Sequence, residues 1–220
     1  MKLCVLIPAH NESKTIGQLV EQIRQKNLDV IVIDDGSSDQ TGSIAQTRDA
    51  YVIQHHEKKG KGVSLRDGFR YVLSNNYDGV ITMDGDGQHD VADLNTIIHK
   101  AESCPEAIVV GNRMTDIKGM PGIRLMTNRF MSFLISALCR QHIPDSQCGY
   151  RYIGRKVLES MTITAKDYEI ESEVLIQASK KGYRIFSVPI RTVYGNERSK
   201  INPLRDTTRF FVYLIKELFR

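Results

Sequence analysis

The chain has 220 residues, 41% of them apolar and 25% charged, which suits one sizeable globular core and excludes a disordered, collagenous or disulfide-built protein. Its net charge of +4 conceals an asymmetry: residues 1–110 carry 11 Lys/Arg against 16 Asp/Glu, net −5, and residues 111–220 carry 19 against 10, net +9. A basic second half suits an anionic partner such as phosphate groups, a membrane surface or nucleic acid, with an ordinary basic surface as the plainer reading.

Cys4, Cys104, Cys139 and Cys148 show no Cys-x-x-Cys spacing, and they read as reduced core residues. The chain enters a strand at Lys2 without a charged-then-apolar leader, so a cytoplasmic protein without a signal peptide is expected. The longest apolar run, residues 130–139, falls well short of the roughly 20 residues that span a bilayer.

Residues 3–7 form an apolar strand halted at Pro8, and residues 8–13 lead into a helix with Ser13 as its expected N-cap. Ile16, Leu19, Val20 and Ile23 follow the amphipathic helical period, and residues 30–33 make a second buried strand. That strand ends in Asp34-Asp35-Gly36-Ser37-Ser38-Asp39-Gln40-Thr41, at the carboxyl end where a ligand crevice lies in open α/β sheets. Residues 51–53 give a third strand, followed by the cationic loop His56-Glu57-Lys58-Lys59-Gly60-Lys61-Gly62. Its Gly-x-Gly is not a dinucleotide fingerprint, because the pattern fails at Leu65; a phosphate-facing loop and a solvated one are both compatible with it. Leu65, Phe69, Val72 and Leu73 mark a helix, and residues 80–83 a further buried strand.

The strand at 80–83 delivers Asp84-Gly85-Asp86-Gly87-Gln88-His89. Carboxylates two apart in extended chain share a face, and the intervening glycines leave the space between them clear. Two carboxylates and the Gln88 amide suit Mg²⁺ or Mn²⁺ shared with a diphosphate, the alternative being a solvated turn with capping aspartates. Leu94, Ile97, Ile98 and Ala101 repeat the helical period, and residues 107–110 form a fifth strand ending at Gly111-Asn112-Arg113. The first half thus reads βαβαβαβαβ, an α/β fold with a mostly parallel sheet.

Residues 113–122 are loop-like. Met126, Phe130, Phe133, Leu134, Ala137 and Leu138 then make an apolar helix, with Arg113, Lys118, Arg124 and Arg129 at its mouth. Arginines beside an apolar helix suit a phosphate head with an apolar tail, although a buried helix with solvated ends carries the same pattern. Asp145 to Tyr152 is a polar turn feeding a strand. A helix follows with Ile170, Val174 and Ala178 inward and Glu171 in its first turn, where the helix dipole alone favours a carboxylate. Residues 184–193 form a last strand. The amphipathic segment 205–220 suits packing on the domain or on a second copy of the chain, or lying on an anionic membrane.

In order, Pro8-Ala9-His10-Asn11-Glu12, the Asp34–Thr41 segment, Gly60-Lys61-Gly62, and Asp84-Gly85-Asp86-Gly87-Gln88-His89 resemble the family 2 glycosyltransferases of the GT-A fold. The nearest likeness is to the polyprenyl-phosphate, dolichol-phosphate mannosyltransferase-like branch. The resemblance continues through Asp145–Arg151 and Ser199-Lys200 and covers nearly the whole chain. It implies a single domain over 1–220, with a Rossmann-like donor half at 1–112, an acceptor-side portion at 113–204 and the amphipathic helix at 205–220. By the same likeness, Pro8, Ala9, Glu12 and Asp35 contact base and ribose, and Asp84, Asp86 and Gln88 hold metal and diphosphate, with Lys61, Ser199 and Lys200 on the donor. Arg113, Arg124 and Asn128 receive the acceptor phosphate, Asn128 standing where a serine is common. His10 replaces the usual tyrosine or phenylalanine, and the terminal transmembrane helices of some members have no counterpart.

The expected reaction is metal-dependent inverting transfer from a nucleotide-diphosphate sugar, such as GDP-mannose or a UDP-sugar, to a polyprenyl phosphate. An anionic phosphate oxygen needs no base, whereas a hydroxyl acceptor requires a carboxylate, for which Asp145 and Glu171 are the candidates; with the metal-site Asp86 they make the expected catalytic residues. Transfer to a sugar hydroxyl of a cell-surface polysaccharide is the second reading, and a nucleotide-sugar-binding module without turnover the third. Nucleic acid is not an expected partner, since no aromatic stacking pattern accompanies the basic half.

Overall fold

In the computed structural model the described residues are 1–117 and 119–191. Lys118, Ser199, Lys200 and the segment 205–220 lie outside them. The described residues build a seven-stranded sheet from β1 (Leu3–Ala9), β2 (Asp29–Asp34), β3 (Tyr51–Gln54), β4 (Gly79–Thr82), β5 (Ile108–Asn112), β6 (Arg151–Gly154) and β7 (Ile185–Pro189), in the order β3-β2-β1-β4-β6-β5-β7. Helices α1 (Ile16–Arg24), α2 (Thr41–Thr47), α3 (Lys61–Ser74) and α4 (Leu94–Ser103) alternate with the first five strands. Three more, α5 (Gly122–Cys139), α6 (Arg155–Ser160) and α7 (Ile170–Lys180), belong to the second half.

The central strands are continuously apolar because helices cover both faces. Val5, Leu6, Ile7, Ile81 and Ile33 have no exposed surface, and such side chains each contribute about 1.5–3 kcal/mol when fully buried. The parallel register of β1, β2 and β4 places Ala9 opposite Asp34 and Leu6 opposite Thr82. Three carboxyl ends therefore open on one edge, where Asp34, Asp35 and Asp84 emerge.

The fifth strand does not join the fourth. Strand β6 runs antiparallel between them, pairing Ile81 with Tyr152 on one side and Val109 with Tyr152 on the other. The buried Tyr152 hydroxyl donates to Pro105 O at 2.7 Å. Because β6 is reversed, the loop that precedes it, residues 145–150, reaches the same edge as the carboxyl ends of the parallel strands.

Two local expectations change. Strand β1 continues through Pro8 to Ala9, and α1 starts at Ile16 with Thr15, not Ser13, at the N-cap position. The Thr15 hydroxyl contacts Glu12 O at 3.2 Å and Gly85 O at 2.7 Å, tying the start of α1 to the loop after β4. Helix α5 reverses the usual pattern: Ile123, Met126, Phe130 and Phe133 are 54–80% exposed, while Asn128 and Ser132 face inward with Ile135 and Cys139. Its inner face is polar where it packs on the 145–146 turn, Ser146 N donating to Ser132 Oγ at 2.9 Å, and becomes apolar at Ile135 and Cys139.

Helix α3 lies close to the sheet because Gly68 meets Leu6. A Cβ at Gly68 would sit 2.4 Å from Leu6 Cδ1, and Leu6 is fully buried with nowhere to retreat. Gly68→Val is expected to destabilise the fold by about 1–3 kcal/mol, read as a lower urea midpoint with an unchanged slope.

Candidate active site

The edge carries three polar clusters. In the first, Asp35 accepts from Lys59 N at 2.8 Å and Gly60 N at 2.9 Å, and lies 2.8 Å from His55 Nδ1. The other ring nitrogen of His55 lies 3.2 Å from Asp67 of α3. Burial pushes the Asp35 carboxyl up, but the hydrogen bonds from His55, Lys59 and Gly60 outweigh it and hold the group below its ordinary range. The residue expected at the base and ribose thus also anchors the glycine loop to β2.

The loops after β1 and β2 are clipped together over the same end. Glu12 N donates to Thr41 Oγ1 at 2.8 Å, Asn11 N to Ser37 Oγ at 3.0 Å, and Ser38 N to Asn11 Oδ1 at 2.8 Å. His10 Nδ1 lies 2.9 Å from Asp35 O. The two chain segments assigned to the nucleotide by resemblance, with Pro8, Ala9 and Glu12 in one and Asp35 in the other, are therefore adjacent.

The second cluster centres on Lys61, the first residue of α3. Its ammonium lies 2.5 Å from Asp84 Oδ1 and 2.6 Å from Glu171 Oε1. The other Asp84 oxygen lies 3.4 Å from His89 Nε2. Burial raises the Asp84 carboxyl, yet Lys61 and then His89 overcome this and hold it well below the usual range. Burial likewise works against the Lys61 charge, and Asp84 and Glu171 outweigh it, so its pKa is raised. The 145–150 loop closes this pocket at Gly149, where a Cβ would fall 2.7 Å from Asp84 Oδ2.

Asp86 and Gln88 stand beside Asp84, both partly exposed, and Asp86 Oδ1 accepts from Gln88 N at 3.0 Å. No group of three or more His, Cys, Asp or Glu side chains among the described residues is placed to hold a metal ion alone. Mg²⁺ and Mn²⁺ do not need such a cage, since one or two carboxylates and substrate phosphates complete their shells. The Asp86 carboxylate and the Gln88 amide are hard oxygen donors at an open edge, and they fit an ion of that kind.

The third cluster unites three distant residues. Arg113 donates to Asp145 from Nε at 2.7 Å, from Nη2 at 2.9 Å and from its backbone N at 3.1 Å, and Asn128 Nδ2 donates to Asp145 Oδ1 at 3.0 Å. All three are buried. Arg124, partly exposed, precedes Asn128 by one turn of α5 on the same side of the helix. Burial raises the Asp145 carboxyl, but Arg113 and then Asn128 hold it below its ordinary range.

Four contributors have no role in the motif reading: His55 and Thr15, which lie outside the motifs, and His89 and Arg151, which lie within them. Arg151 is buried in β6 and donates to the carbonyls of Cys148, Ser146 and Glu171 at 2.5–2.6 Å. It fastens the 145–149 loop to the first turn of α7. A charged residue between Tyr150 and Tyr152 in a buried strand was the one sequence signal available for it.

Asp145→Asn breaks a buried ion pair and is expected to cost about 3–5 kcal/mol. A depressed folded-state pKa contributes stability that is complete above the unfolded value of about 3.9 and is lost as pH falls through the folded value. In urea titrations the gap between wild type and Asp145→Asn is therefore constant from pH 7 to about pH 5 and narrows below about pH 4.

The profile of the family described as Glycosyl transferase family 2 matches residues 4–162. The chain is 31% identical over 213 residues to a UDP-N-acetylglucosamine–dolichyl-phosphate N-acetylglucosaminyltransferase of Methanococcus voltae, covering 86% of this chain and 85% of that protein. It is 28% identical to an undecaprenyl-phosphate mannosyltransferase of Micrococcus luteus, covering 88% and 84%. Among solved structures, glucosyl-3-phosphoglycerate synthase from Mycobacterium tuberculosis, crystallised with Mn²⁺, UDP-glucose and phosphoglyceric acid, superposes with a TM-score of 0.74 at 20% identity, covering 98% of this chain and 79% of that one. That likeness establishes the GT-A architecture.

Proposed function

The chain belongs to glycosyltransferase family 2, and from that premise we propose that it transfers a sugar, with inversion and with the help of Mg²⁺ or Mn²⁺, from a nucleotide-diphosphate sugar to a polyprenyl phosphate. The observation that carries this reading is the state of the two candidate bases. Asp145 is engaged by Arg113 and Asn128, and Glu171 Oε1 by Lys61. A hydroxyl acceptor needs a carboxylate ready to take its proton, whereas a phosphate monoester oxygen is already anionic. Asp145 then acts by orienting Arg113 and Asn128 toward the acceptor phosphate, and does not take a proton.

Helix α5 supports the same acceptor. Asn128 turns inward, beside Arg113, and the opposite face presents Ile123, Met126, Phe130 and Phe133 to the outside. A phosphate head and an apolar tail would meet the two sides of one helix. Within the helix the charged residues are Arg124 and Arg129, without a carboxylate. No helix among the described residues is long and apolar enough to cross a membrane, so an acceptor tail would be met at a surface. The segment 205–220 is an additional candidate for that contact.

When bound, the divalent ion would neutralise charge developing on the leaving diphosphate. Asp86 and Gln88 would hold it, with Asp84 joining them. The 10–12 and 35–41 loops would seat base and ribose, and Lys61, Ser199 and Lys200 would face the diphosphate. Arg113 and Arg124 would aim the acceptor oxygen at the anomeric carbon from the face opposite the diphosphate. A new bond forms from that oxygen to the anomeric carbon as the bond to the diphosphate breaks, which inverts the configuration.

The test is a thermal-shift panel of UDP, GDP and their sugar conjugates with and without Mn²⁺, followed by transfer to polyprenyl phosphate with the best donor. Asp86→Ala is expected to abolish the Mn²⁺-dependent shift and to lower kcat by about 100-fold or more. Arg124→Ala is expected to raise the KM for the lipid phosphate by about tenfold or more, the loss of a charge-assisted contact. Equal transfer by wild type and an Arg113→Ala, Arg124→Ala double variant would remove the lipid-phosphate reading and leave the polysaccharide one.

A further inference from the structure

Lys61 is rooted unusually firmly for a long, flexible side chain. Gly60 before it has φ +104°, and a Cβ there would lie 2.4 Å from Asp167 Oδ1 and 2.5 Å from Lys166 O. Gly62 N donates to Lys166 O at 2.9 Å. The start of α3 is thereby fixed against the segment that leads into α7, and the Lys61 side chain is 15% exposed. Its ammonium sits between Asp84 Oδ1 and Glu171 Oε1, with the Tyr168 ring 5.6 Å away.

This position conflicts with a metal ligated by Asp84. A Mg²⁺ ion binds oxygen at about 2.0–2.1 Å, and the approach to Asp84 Oδ1 is already taken by a cation at 2.5 Å. Two cations on one carboxylate oxygen repel strongly in a half-buried site. The ammonium is a compact point charge on a long stem, so it can leave Asp84 without moving its own backbone. It cannot leave for water cheaply, because Glu171 is only 7% exposed and its Oε2 is buried without a hydrogen-bond partner among the described residues. A diphosphate arriving at the edge provides the anion that lets it turn.

We infer that Lys61 is the resident cation of Asp84 in the donor-free enzyme and exchanges with the divalent ion when the nucleotide diphosphate binds, while Glu171 keeps the ammonium within reach as a positioning residue. The inference rests on the reading of Asp84, Asp86 and Gln88 as the diphosphate anchor. It makes metal and nucleotide a coupled pair: each raises the affinity for the other by the same factor, as linkage requires. Mn²⁺ alone binds weakly, because Lys61 already satisfies Asp84.

The experiment is titration of Mn²⁺ by the loss of its free-ion paramagnetic resonance signal, with and without UDP or GDP, whichever the thermal-shift panel selects. In wild type the nucleotide is expected to raise Mn²⁺ affinity by about tenfold or more. In Lys61→Met the affinity for Mn²⁺ alone rises by about the same factor and the enhancement by nucleotide shrinks; Lys61→Arg, which keeps a cation, stays close to wild type. If the loss of the ammonium prevents folding, Lys61→Met with Glu171→Gln removes the excess buried charge and is expected to show the same gain for Mn²⁺ alone. Unchanged or weaker binding of Mn²⁺ alone in the neutral variants overturns the exchange. Asp86→Ala separates the two levels: if the nucleotide-dependent gain survives that substitution, the anchor reading itself fails. If Asp86→Ala abolishes the gain while the neutral Lys61 variants match wild type, only the exchange fails.

Discussion

Charge removed from water must be paired, and that constraint organises the functional edge of this sheet. Lys61 with Asp84 and Glu171, and Arg113 with Asp145, are buried or half-buried at short range, and Asp35 is held by His55 and two backbone N–H groups. Breaking such a pair by removing one partner strands the other charge in a medium that solvates it poorly. Each cluster also joins elements distant in the chain: α3 to the β4 loop and α7, β5 to the 145–150 loop and α5, and β2 to α3. The Lys61 and Arg113 contacts that arrange the polar groups of this edge therefore also fasten the first half of the molecule to the second.

Much of the architecture is legible in the sequence, and the reason is local. A buried parallel strand must be apolar throughout, and an amphipathic helix must repeat near every 3.6 residues, so β1, β2, β4, α1 and α4 announce themselves. The Asp84–Gln88 loop stands out as a candidate site because two carboxylates and an amide follow a buried strand, and the grouping of Arg113 with Asn128 follows from family resemblance. Antiparallel β6 between β4 and β5 is not legible, because which strands pair depends on the whole sheet and not on any one strand. The Lys61–Glu171 pair and the Arg151 bond to the Glu171 carbonyl escape for the same reason: no local pattern ties residues so far apart.

Helix α5 shows where a sound local rule gives an incomplete answer. Met126, Phe130 and Phe133 form the apolar stripe that normally marks an inner face, yet in this helix they are outside. The inner face begins with Asn128 and Ser132, whose side chains bond to the 145–146 turn, and only toward the end of the helix do Leu134, Ile135, Leu138 and Cys139 pack on the core. Periodicity identified the stripe and not the side it faces, since the same stripe suits a protein core and a lipid surface.

The reversed strand also constrains the order in which the molecule can assemble. Strands β1, β2 and β3 pair with one another and with β4, whose other edge is taken by β6, and among the described residues β5 pairs only with β6 and β7. As the chain leaves the ribosome, β5 emerges with no edge to join until β6 appears about forty residues later. A nascent chain that ends at Asn112 has a four-stranded sheet with the far side of β4 uncovered, the kind of open edge on which strands of other chains can add. Closing that edge falls to the same short strand that carries Arg151, so covering β4 and placing the residue that fastens the 145–149 loop depend on one strand.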